Sequence, residues 1–171
     1  MEQQEYAQRG YLREDFRLFH LKGAMEEQLD WHYHTFHKLI FFLGGQSGYG
    51  VEGRSYPLEP GDVILVPQGC VHRPEAAPGA PYERVILYLS PDYLARTGTA
   101  DCPLDSCFAL ATARFRFVLR PQEGRQALRR TLFALENASA QPGFGQELLA
   151  KALLTQLLIL LSKLFSRTSI F

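Results

Sequence analysis

A change of pattern near residue 120 limits most strongly how this chain can fold. Before it, short apolar runs rich in Val, Ile, Tyr and Phe are cut by Gly and Pro: FRLFHL (16–21), LDWHYHTFHKLIFFLGG (29–45), GYGVEGRSYPL (48–58), GDVILVPQG (61–69) and YERVILYLS (82–90). Runs this short and this punctuated read as strands of an all-β sandwich or barrel. Glu52-Gly53 lies between Tyr49-Gly50-Val51 and Arg54-Ser55-Tyr56 as a hairpin turn, because glycine accepts the positive φ that a tight turn demands. Pro57, Pro60 and Pro67 fall where ladder hydrogen bonds must stop.

After Pro121 the period becomes helical. PQEGRQALRRTLFALENASA (121–140) starts with proline in a first turn, carries Glu123 beside it, and is ended by Gln141-Pro142-Gly143. A second helix is expected over about residues 146–167, where Ala150, Leu153, Leu157, Leu160 and Leu164 make one apolar seam. Leu154, Leu158, Leu161 and Phe165 make a neighbouring one. Two seams ask for two burial partners. Either both pack on the first helix and the barrel, or Leu153, Leu157, Leu160 and Leu164 meet their copies in a second subunit of a homodimer. Between the two regimes, PDYLART reads as a short helical turn and TADCPLDS as a loop.

Composition narrows the class. At 171 residues and 46% hydrophobic content the chain is long and apolar enough for one ordered domain. Its 18 Lys+Arg balance 18 Asp+Glu, so no global field attracts phosphate and unassisted nucleic-acid binding is excluded. Three cysteines without a CxxC pair suit a reducing cytoplasm. The polar, charged N-terminus is no signal peptide, and the apolar run at 152–161 is half of the roughly 20 residues a bilayer requires, so neither secretion nor membrane insertion is expected.

Three of the five histidines stand in Trp31-His32-Tyr33-His34-Thr35-Phe36-His37-Lys38. On a strand, His32, His34, Phe36 and Lys38 share one face and Tyr33, Thr35 and His37 the other. His32 and His34 then aim at one point, and His72 at the end of the GDVILVPQGCVH segment supplies a third imidazole. Such a set suits zinc, nickel or iron, with positions left open for water or ligand. The alternative is that the same histidines exchange hydrogen bonds with ligand or water. His37 is a packing or surface residue, and His20 gives no signal. An ammonium at Lys38, beside Phe36, Ile40 and Phe42 in a low-dielectric interior, needs an anionic partner: an effector carboxylate or phosphate, or an internal acid such as Glu83. Otherwise it snorkels to the rim. Trp31, Tyr33, Tyr49, Tyr82 and Tyr88 either stack on a sugar or ring or pack in the core, and of these Tyr49 and Tyr88 are the candidates to contact a bound effector. Arg120, Arg125, Arg129 and Arg130 read as a solvated face.

These residues resemble the cupin superfamily. His32, His34, position 38 and Gly45 keep the spacing of its first motif, and Gly61, Pro67, Gly69 and His72 that of its second. Lys38 stands where the metal-binding Glu is usual, and Ala76 where an Asn is usual. The block from Trp31 to Glu75, the ERVILYLSPDYL segment and the C-terminal helices with Glu136 resemble the effector-binding half of AraC-type transcription regulators. The resemblance implies a mainly β chain, a cupin (double-stranded β-helix or jelly-roll) barrel followed by two C-terminal α-helices. Its parts would be a flexible arm (1–14) able to fold over the pocket, the barrel (15–100), a connecting segment (101–120) and a two-helix dimerisation region (121–171). It further implies a small-molecule effector, anionic or a sugar, no catalysis, and DNA contact only through a helix-turn-helix unit outside this chain. The competing class is a stand-alone metal-dependent cupin enzyme, an oxygenase or isomerase, using His32, His34 and His72.

Overall fold

The computed structural model describes residues 5–25 and 28–167. Ten strands and four helices follow one another along them: Ala7–Gln8 (β1), Phe16–Leu21 (β2), His32–Tyr33 (β3), His37–Gly45 (β4), Ser47–Val51 (β5), Arg54–Pro57 (β6), Val63–Val66 (β7), His72–Ala76 (β8), Tyr82–Leu89 (β9), Pro91–Thr97 (α1), Ser106–Arg114 (α2), Val118–Leu119 (β10), Arg125–Ala140 (α3) and Gln146–Arg167 (α4). The strands make two five-stranded sheets, ordered β1-β3-β8-β5-β6 and β10-β7-β4-β9-β2. The expected barrel is therefore present.

Register explains which side chains face in. Lys38, Ile40 and Phe42 lie opposite Tyr88, Ile86 and Arg84, while Lys38 and Ile40 also lie opposite Val66 and Ile64. Directly opposed residues share a face. Lys38 reaches Tyr49 of the other sheet, so this is the inner face. The alternate residues His37, Leu39 and Phe41 look outward, where His37 stacks on Phe108 of α2 with ring centroids 4.3 Å apart. Covered on both faces, β7 is buried throughout, as is β4 from His37 to Phe42, and both read as continuous apolar runs. Barrel and helices share one apolar core.

Local chemistry fixes the turns. Val51 pairs with Arg54 around Glu52 (φ 51°) and Gly53 (φ 77°), the positive-φ pair that a two-residue hairpin requires. Gly45 has φ +106°, and a Cβ there would sit 1.9 Å from the Pro81 carbonyl oxygen, so only glycine fits.

Three expectations need correction. The third helix starts at Arg125 rather than Pro121, because Gly124 takes φ 75° and ends the preceding turn. Residues 101–120 are more than a connection: Cys107, Phe108 and Ala111 bury one side of α2, and β10 pairs with β7. At the N-terminus, β1 pairs in parallel with β3, so part of the arm lies on the barrel; residues 1–4 are outside the described residues.

α4 spans the residues expected of the second C-terminal helix, Gln146–Arg167, and its apolar stretch is longer than the run at 152–161. An 18-residue window of this 22-residue helix has a mean hydropathy of 1.8, long and apolar enough by length and composition to cross a membrane. Ala150, Leu154, Leu157, Leu158, Leu161 and Phe165 are instead buried within this chain, as in a core helix of a globular fold. Leu157, assigned from sequence to a dimer seam, is 0% exposed and is spent on the internal core. Leu153, Leu160 and Leu164 are half-buried against that core. Leu157→Ala should therefore lower the unfolding free energy by about 2–5 kcal/mol, read from urea denaturation at a protein concentration where the chain is monomeric.

Candidate functional site

The pairing of His32 with His72 across β3 and β8 puts two imidazoles side by side. The chain bends at residues 35–36, so β3 and β4 are separate strands. Even so, His34 comes to the same place: ring centroids are 5.1 Å from His32 and 4.7 Å from His72. One ligand nitrogen from each of His32, His34 and His72 lies within 4.8 Å of the others.

Each ring is held from behind by a backbone carbonyl. Nδ1 of His32 donates to Asp30 (2.8 Å), Nδ1 of His34 to Arg9 (2.5 Å) and Nδ1 of His72 to Cys70 (2.9 Å). A carbonyl only accepts, so the proton sits on Nδ1 and each neutral ring keeps its lone pair on Nε2. The Nε2 atoms of His34 and His72 are buried without a hydrogen-bond partner. Burial, with a smaller contribution from Lys38, pushes His32 below its ordinary value, His34 down to about 4 and His72 down to about 2. The cluster is neutral at pH 7. Converging imidazole lone pairs, each with Nδ1 anchored, are what a divalent metal needs, so these residues fit one.

Lys38, Tyr49 and Tyr88 border the histidines. Lys38 is 7% exposed, and its Nζ donates to Tyr49 Oη at 3.3 Å. Tyr49 stacks toward His72 (6.2 Å) and Tyr88 lies beside His34 (5.9 Å). The structure thus brings His32, His34, Lys38, His72, Tyr49 and Tyr88 into one inward-facing group.

The sequence profile of the AraC-like ligand binding domain matches residues 18–158. The chain belongs to that family. An AraC-like domain implies a small-molecule effector and a regulatory rather than catalytic role. With the two facing sheets and the helical layer, the family makes the fold mainly β and cupin-type. Among solved structures, a cupin-like protein from Thermotoga maritima is 20% identical over 46% of this chain and 60% of its own, with a TM-score of 0.41. A Cupin 2 conserved barrel domain protein from Salinispora arenicola is 16% identical over 50% and 71%, TM-score 0.41. A polyketide cyclase from Streptomyces resistomycificus is 24% identical over 43% and 53%, TM-score 0.38. No curated protein matches the chain.

Other residues of this AraC-like domain take different places from those expected. Glu83 does not pair with Lys38. Its Oε1 accepts from His20 Nε2 at 2.9 Å, while Glu136 Oε1 of α3 accepts from His20 Nδ1 at 2.8 Å. Sequence reading found no signal at His20, since its partners are 63 and 116 residues away. Arg120 is structural: it grips the buried Asp62 through Nε (2.8 Å) and NH2 (2.9 Å). Arg125 donates to the Pro60 carbonyl.

His20 is the histidine that should titrate upward. Both nitrogens face carboxylates, which accept only, so the doubly protonated ring fits best, and the Glu136 hydrogen bond raises its pKa above 6.5 against the cost of burial. The folded value thus exceeds the unfolded one. The stabilisation is complete below about pH 6.5 and is lost as pH rises through the folded pKa. NMR titration should show His20 changing charge above pH 6.5 while His34 and His37, both lowered to about 4, stay neutral. Glu136→Gln should flatten the loss of stability on that alkaline side.

Proposed function

We propose that this chain is the ligand-sensing and dimerising half of an AraC-type transcription regulator of the cytoplasm. A small molecule binds inside the barrel beside His32, His34 and His72 and controls an attached helix-turn-helix DNA-binding unit. The observation that carries the reading is the inward cluster of buried, incompletely partnered polar groups in a chain of this family. Monomeric barrels have no reason to keep such groups unless something meets them, because a buried polar atom without a partner costs about 1–3 kcal/mol.

The arm supports a route from ligand to output. Arg9, next to β1, accepts the Nδ1 bond of His34, and its N–H donates to the Tyr33 carbonyl (3.0 Å). Any contact at His34 Nε2 therefore biases the docking of the arm, and a ligand with differential affinity for the docked state shifts its population. A zinc, nickel or iron ion would be held by His32, His34 and His72, and would supply a Lewis-acidic point for an oxygen of the ligand. The anchored imidazoles also keep a metal-dependent oxygenase or isomerase as a second reading. That reading predicts turnover by metal-loaded protein alone, and the regulatory reading predicts binding without turnover.

Three measurements test this. Fusing residues 1–171 to a monomeric helix-turn-helix unit should make a two-half-site reporter respond to small molecules added to cells; a reporter insensitive to every compound class would overturn the sensing role. Elemental analysis after dialysis against Ni²⁺ or Zn²⁺ should find one ion per chain, and His72→Ala should weaken binding about tenfold or more. For the homodimer, the outward parts of α4 remain: Leu148 and Leu149 are exposed, and Leu153 and Leu160 half-buried. Leu149→Asp with Leu153→Asp should convert a sedimenting dimer to monomer, and a monomeric wild-type chain would end the proposal.

A further inference from the structure

Lys38 is a buried cation for which the described residues provide no acid. Its Nζ donates to Tyr49 Oη, and it makes no ion pair. Burial is the main pressure on its charge, and the positive Arg84 guanidinium acts on it in the same direction. Glu83, the internal acid a buried lysine in this barrel would be expected to use, is bound to His20, and the buried Asp62 to Arg120. Nor do the histidines offset it, for all three are neutral. An ion held by them would add to the charge of Lys38 rather than cancel it.

An unpaired ammonium in a dry interior is costly, and a protein keeps one where an anion arrives from outside. The surroundings say what kind. Lys38 Nζ lies 5.9 Å from the Tyr49 ring and 6.0 Å from the Tyr88 ring, and those rings border His72 and His34. Two donors stand together here: the Lys38 ammonium and the Tyr49 hydroxyl, which burial keeps protonated. Two acceptors belong to the same group, the unpartnered lone pairs of His34 and His72. A ligand that satisfies both kinds has an anionic end for Lys38 and Tyr49. Its other end carries hydroxyl donors, or binds a metal ion, at the histidines.

We propose that the effector of this barrel is a small organic carboxylate, held by its carboxylate at Lys38 Nζ and Tyr49 Oη beside the three-histidine cluster. This inference rests on the reading of the barrel as a ligand-sensing module and adds the charge class of its ligand. Lys38 is the residue that selects for charge.

The test is a thermal-shift and calorimetric comparison of acids with their neutral amides: benzoate, lactate and gluconate against benzamide, lactamide and gluconamide, each with and without Zn²⁺ on the full chain. At least one acid should raise the melting temperature while its amide does not. Lys38→Met should weaken that acid about tenfold or more, Lys38→Arg should retain part of the binding, and Tyr49→Phe should cost several-fold. Ni²⁺ content of Lys38→Met should not fall, which separates loss of the anion contact from collapse of the barrel. Dependence on Zn²⁺ tells whether the histidines meet the ligand directly or through an ion. Amides binding as well as acids, undiminished acid binding by Lys38→Met, or no acid binding at all overturns the carboxylate assignment. Binding of amides alone leaves the sensing role standing, and the chimeric reporter decides that role independently.

Discussion

Three backbone carbonyls behind three imidazoles set the character of the barrel interior. Because Asp30, Arg9 and Cys70 accept the Nδ1 protons, the rings cannot tautomerise without losing those bonds, and their lone pairs stay turned toward one another. Each carbonyl comes from a different stretch of backbone: the turn before β3, the arm beyond β1 and the turn before β8. The site is thus assembled from parts far apart in sequence, and its geometry depends on the pairing of β1 with β3 and of β3 with β8. The arm is a structural component of the site.

The second sheet carries the other half of the design. Both faces of its central strands are covered, one by the barrel interior and one by helices, so a side chain one position along a strand changes environment completely. Lys38 and His37 illustrate it: neighbours in β4, one reaches Tyr49 within the barrel and the other stacks on Phe108 of α2. The same sheet ties the helical layer to the barrel edge through polar contacts. His20 joins β2 to β9 and α3, and Arg120 clamps the turn before β7. These contacts join the barrel strands directly to α3 and to the segment that leads into it.

Much of the fold was legible because strand punctuation is local. Gly and Pro announce the turns, the Glu52-Gly53 hairpin needs only its own two residues, and α4 was bounded by its periodicity alone. Helix α2 escaped because its buried side chains, Cys107, Phe108 and Ala111, show amphipathicity only against the outer face that covers them. The start of α3 was misplaced because proline and an acid suit a first turn, while the positive φ of Gly124 overrides them and is invisible in composition. Strand alternation and motif spacing point to His32, His34, Lys38 and His72 of the inward group, whereas Tyr49 and Tyr88 were legible only as aromatics able to stack on a ligand.

By itself the sequence determined the residue types and their periods: a punctuated β region followed by helices, three histidines placed for one site, and a lysine where an acid is usual. Tertiary structure alone decided which partner each polar group received. It gave Glu83 to His20 and left Lys38 without an acid among the described residues, and it spent Leu157 on the internal core. The physical reason is range. Periodicity and turn chemistry act over a few residues, whereas charge compensation and burial depend on which distant strand or helix the chain brings alongside.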